Sequence, residues 1–68
     1  MNTLIQFIES CVRNCEITSD RVSRKNAYDR AFGAVQYHII LNPTEFAEVE
    51  AIWIETYRPK FEKLVYGV

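Results

Sequence analysis

Three side chains in this sequence belong to the types that hold metals or attack electrophiles: Cys11, Cys15 and the single histidine, His38. On a helix Cys11 and Cys15 stand one turn apart. Two thiolates could then reach one metal ion, with His38 as a third ligand. A fourth ligand is not evident. The same spacing also places both cysteines on an apolar stripe, where free cysteine packs as a small hydrophobe. That reading is the stronger one, and no metal or cofactor is expected. Neighbouring helical turns also suit a disulfide poorly. No motif pairs His38 with a serine or cysteine nucleophile, and no glycine-rich phosphate loop occurs. The carboxylates are numerous but fall on a solvated face. The chain therefore reads as non-catalytic.

The second candidate chemistry is anion binding. Arg21, Arg24, Lys25 and Arg30, with Arg13 nearby, form a basic cluster. It would suit a small nucleic-acid-binding regulator with a helix-turn-helix. Two features oppose this. A recognition helix reads DNA with its N-terminal residues, which here would be Glu45, Glu48 and Glu50. The formal net charge of −1 also lacks the usual electrostatic footprint. Solvated charge at a helix end is the simpler account.

Gly33 is the third candidate. A glycine inside a helix costs about 1 kcal/mol against alanine, and one reason to keep it is close approach of another backbone. It projects with Val22, Asn26 and Tyr37, away from the apolar stripe. These four residues make a candidate interface, and tyrosine is enriched at such surfaces.

The elements that carry these residues are three helices. Leu4, Ile8, Cys11, Val12 and Cys15 recur at helical spacing, and Thr3 with Gln6 has capping-box spacing. This predicts a first helix over 4–14. Thr18 is the expected N-cap of a second helix over 19–40, with Ile17 and Val22 at the hydrophobic-staple positions. At about 100° per residue, Tyr28, Ala31, Phe32, Val35 and Ile39 share its inner face. The basic first two turns are expected to project past the core. Pro43 ends this helix and starts the next, with Asn42 as N-cap and Glu45 placed for the reciprocal bond. The third helix is expected over 43–66. It carries Phe46, Val49, Trp53, Tyr57, Phe61 and Leu64 on one face and is kinked or broken at Pro59. Ala51–Ile54 is apolar most of the way round, as in a turn buried on more than one side.

These elements predict an all-α, small three-helix bundle formed as a single domain over 1–68. The expected core is Leu4, Ile8, Cys11, Val12, Phe32, Val35, Ile39, Phe46, Val49, Trp53 and Leu64. With 68 residues, such a domain hides only about 60% of the surface of its unfolded chain, so extra burial through self-association would help it. The 49% apolar composition is enough for a core. The near balance of charge gives no long-range pull toward nucleic acid or an anionic membrane. The N-terminus has no signal-peptide pattern, and no stretch approaches the ~20 apolar residues of a membrane span. A cytoplasmic protein with reduced cysteines is expected. Its length and style are similar to the short helical proteins of bacterial genomes, although no motif identifies a family. The functional expectation is a protein-protein interaction module that self-associates, as a homodimer or with another protein. The nucleic-acid regulator is the alternative.

Overall fold

A computed structural model describes residues 2–67. Its elements are α1 (Asn2–Ile17), α2 (Arg21–Leu41), a 3₁₀ turn (Pro43–Glu45), α3 (Phe46–Ile52), a π turn (Trp53–Tyr57) and α4 (Arg58–Tyr66). The last four run on as one rod over 43–66, so the molecule is the expected all-α three-helix bundle. Short links at 18–20 and Asn42 make neighbouring helices antiparallel. The result is an elongated body of 37 × 19 × 16 Å. Among the described residues, no helix is long and apolar enough to cross a membrane.

The helix ends differ from expectation. Asp20, not Thr18, caps α2. Its carboxylate accepts from the Ser23 N–H at 3.2 Å and the Ser23 hydroxyl at 2.8 Å. A carboxylate at that position also answers the positive end of the helix dipole. The staple does not form, since Ile17 and Val22 are both exposed. Thr3 lies inside α1 and not at its N-cap. Asn42 and Glu45 work backwards instead of forwards. The Asn42 amide donates to the His38 carbonyl at 3.1 Å, and Glu45 bonds His38 Nε2 at 3.0 Å. The first supplies a donor at the C-terminus of α2, where carbonyls lack helical partners, and the second holds the His38 ring against the start of the rod. At the far end Gly67 adopts φ 74° and donates its N–H to the Lys63 carbonyl. This is a left-handed cap that glycine adopts without the Cβ penalty.

Pro59 does not break the rod. It lacks an N–H, and its ring crowds the carbonyl four residues back. The turn before it widens to a π turn, closed by the Arg58 N–H to the Trp53 carbonyl. This sets the phase of the whole rod. In a regular α-helix, residues four apart advance by about 40° around the axis, so a long four-residue series winds away from a fixed line. A wider turn takes part of that advance back. Val49, Trp53, Tyr57, Phe61 and Val65 consequently form one buried line. Val65 replaces the expected Leu64, which is only partly buried.

On α2 the buried residues are Ala27, Ala31 and Val35. Small side chains there let α1 come close, bringing Leu4, Ile8, Cys11 and Cys15 into the core. The rod packs on the adjacent side of α2 through aromatic stacking. Tyr28 stacks on Phe61 at 5.2 Å and Phe32 on Trp53 at 5.7 Å. Two expected core residues are corrected by this arrangement. Phe32 remains 44% exposed and Phe46 48%, because three helices cover only part of the stripe they share. Val12 and Ile39 are partly buried.

Candidate interaction groove

The uncovered part of that stripe forms a groove. The groove, of about 570 Å³, lies between α2 and the rod, with Tyr28, Phe32, Ile39, Phe46, Trp53 and Ile54 among its lining residues. Ile40, also on its wall, is 74% exposed. Polar groups are Gln36, Glu50, Arg58 and Glu62, with Arg58 bonded to Glu62 at 3.3 Å. Burial, with a smaller contribution from the Glu62 carboxylate, pushes the Tyr28 phenol up from its ordinary value. The π turn aligns this surface as it aligns the core. Phe46, Glu50, Ile54, Arg58 and Glu62 follow one another at four-residue spacing along the groove wall. Chemically the groove offers flat aromatic and branched aliphatic surface with charges set between. It is suited to bury another apolar face. The sequence signal for it was the all-round apolar turn Ala51–Ile54. That turn is covered only in part: Trp53 is buried and Ile52 packs against the core, while Ile54 is 44% exposed.

The residues expected to form the Gly33 face do share one surface. Val22, Asn26, Gly33 and Tyr37 are all exposed on the outer side of α2, and Val22 and Asn26 border a shallow cleft with Tyr66. A Cβ on Gly33 would meet nothing within 4 Å, so packing within the chain does not require the glycine. Gly33→Ala is therefore expected to stabilise the protein by up to about 1 kcal/mol. That would raise Tm by about 4–8 °C for a domain of this size. A fall in Tm on calorimetry would mean that another backbone sits against Gly33.

The basic cluster is dispersed. The Arg24 guanidinium points inward, with Nε donating to the Thr18 carbonyl and Nη1 to the Leu64 carbonyl at 3.1 Å. It ties the α1–α2 link to the end of α4, so the first turns of α2 do not project past the core as expected. Lys25 pairs with Asp29 at 2.6 Å and lies 5.8 Å from the Tyr28 ring centre. Arg21 and Arg30 are exposed.

The cysteines and His38 are not brought together. Cys11 and Cys15 are free and buried along α1, with the Cys15 thiol 3.8 Å from the Arg24 carbonyl. His38 is at the opposite end of α2, against Glu45. Among the described residues no three His, Cys, Asp or Glu side chains converge on one point.

Burial pushes both thiols up, against smaller opposing effects of Arg30 on Cys11 and Arg24 on Cys15. Burial likewise raises the phenol of Tyr57. With Tyr28, four groups hold their protons more tightly folded than unfolded. Their contribution to stability is complete below the ordinary thiol pKa of about 8.5 and is lost as pH rises through the folded values. The urea midpoint is expected to be level from neutral pH to about 8 and to fall above about 9. A midpoint unchanged in strong alkali would contradict this. Asp20 and Glu45 shift the other way. Asp20 is held below the ordinary carboxylate range by the Ser23 bonds and Glu45 by the His38 bond. Their contribution is present above that range and lost as pH falls through their folded values.

No family model, curated protein or solved structure matches this chain. The fold and its surface define the class: a small all-α three-helix bundle carrying an uncovered aromatic groove.

Proposed function

We propose that this chain is a non-catalytic interaction module that self-associates, and that the groove between α2 and the rod is its docking surface. One observation carries the reading. Phe32, Phe46 and Ile54 all line that groove and each remains close to half exposed, in a domain whose own core is small. An ordinary interface of about 800 Å² per partner would cover roughly a sixth of the 4606 Å² of accessible surface. Burying apolar surface contributes about 25 cal/mol per Å², which a short chain lacks elsewhere. The groove replaces the Gly33 face as the preferred interface because its exposed residues are larger and contiguous.

Sedimentation velocity across a wide range of concentration tests the reading. The wild type should shift from one chain to two as concentration rises, and Ile54→Asp should remain a single chain with an unchanged helical spectrum. A wild type that sediments as a single chain throughout would overturn self-association.

A further inference from the structure

The groove carries information about how a second copy would sit in it. Along its wall Glu50 lies four residues before Ile54 and Arg58 four residues after it. All three line the same groove, because the π turn between Trp53 and Tyr57 keeps them in phase. Phe32, stacked on Trp53, adds an aromatic ring to the same stretch. The wall is therefore an apolar centre flanked by an acid on one side and a base on the other. Resting on the self-association reading, we propose that a second copy docks with its rod antiparallel to the first, about a two-fold axis passing near Ile54, so that Glu50 of each chain pairs with the partner's Arg58.

The direction follows from charge. A two-fold axis across the rods reverses one relative to the other, so positions equally distant from Ile54 exchange. Glu50 then meets Arg58 twice, once on each side of a centre where Ile54 meets its own copy. Such an interface is self-complementary, as a two-fold dimer requires. Parallel rods would set Glu50 against Glu50 and Arg58 against Arg58, and like charges in contact oppose that register. Within the chain Arg58 is bonded to Glu62 at 3.3 Å with half its side chain exposed. It can accept a second carboxylate without leaving a buried position. The same exchange sets Phe46 of each chain opposite Glu62 of the other, whose carboxylate is already bonded to Arg58.

Two single charge reversals, E50R and R58E, test the geometry. In an E50R dimer two arginines would face two arginines, and in an R58E dimer glutamates would face glutamates. Each variant alone is expected to associate about tenfold more weakly than wild type. An equimolar mixture of the two restores both attractive contacts, since each contact then sets an arginine of the E50R chain against a glutamate of the R58E chain. It should form a heterodimer close to wild-type affinity, seen by sedimentation with one variant fluorescently labelled. Both positions are exposed, and a thermal melt of each variant verifies folding. The mixture also separates pairing between chains from loss of the Arg58–Glu62 contact within one, since only the former is restored by mixing. A wild-type dimer unaffected by either reversal, or a mixture no tighter than its components, would overturn the antiparallel pairing while leaving self-association standing. A wild type that never dimerises would overturn both.

Discussion

Phe61→Ala is expected to cost about 3–5 kcal/mol and to leave much of the protein unfolded at 25 °C. Phe61 is fully buried and pairs with two of the other three aromatic rings of the rod–α2 seam. Its ring is 5.2 Å from Tyr28 and 5.8 Å from Trp53. Removing it loses the transfer free energy of a phenyl ring and opens a space that rigid neighbours cannot fill. Natural domains carry about 0.05–0.15 kcal/mol of stability per residue, so a chain of 68 residues has little beyond this cost. Urea unfolding followed by circular dichroism measures it. Phe7→Ala is the contrast, since Phe7 is 44% exposed and its loss should cost well under half as much. Equal costs at the two positions would mean that the core is not centred on Phe61.

Arg24→Ala is the second large effect, expected at about 2 kcal/mol. Two charge-assisted hydrogen bonds would each contribute about 1.5–3 kcal/mol when well shielded, and Arg24 is only partly buried, which lowers the total. The side chain bridges two carbonyls, those of Thr18 and Leu64. The Leu64 carbonyl lies in the last turn of α4. Arg24→Lys should lose most of the same stability, because an ammonium is a compact donor and cannot span two carbonyls as a planar guanidinium does. A denaturation midpoint unchanged in both variants would return Arg24 to the class of solvated surface charge. This pair of variants also bears on function. If Arg24 mainly served nucleic acid, its loss would leave stability nearly untouched, as surface substitutions usually do.

Both effects depend on where the rod lies against α2, and that placement marks the limit of what local pattern conveys. Helix content, the number of helices and the break at Asn42 were legible in the sequence, while the first break was expected at 15–18 and lies at 18–20, because α1 runs from Asn2 to Ile17 instead of over 4–14. They follow from side-chain periodicity, from the backbone limits of proline and from polar residues at the links, all interactions within a few residues. The inner residues of α1 were legible for the same reason. Leu4, Ile8, Cys11 and Cys15 lie at strict helical spacing on one stripe and are all buried, while Val12 at its edge is only partly so.

The candidate groove was only half legible. The apolar excess of Ala51–Ile54 announced a surface in need of cover, but Phe32 and Phe46 could not be told from core residues. A helical stripe shows which side of a helix is apolar; it does not show how many neighbours are available to cover it. Three helices divide the stripe of α2 between α1, which takes the alanines, and the rod, which takes Tyr28. Phe32 lies at the edge of both. Likewise, the choice of Val65 over Leu64 depends on a π turn around Pro59. The proline announced a disturbance, but whether the backbone would kink, break or widen depended on keeping Trp53, Tyr57 and Phe61 packed against the other helices.

By itself, then, the sequence determined the helices, their number and their approximate ends, because these rest on local hydrogen bonding and on which faces are apolar. Tertiary structure alone decided that Arg24 is a clamp on the end of α4, that Phe32 and Phe46 stay close to half exposed, and that Val65 is buried in place of Leu64. Each of these depends on the height and rotation at which antiparallel helices meet. That is set by the packing of Ala27 and Ala31 against α1 and of Phe61 against Tyr28, contacts between residues far apart in the chain.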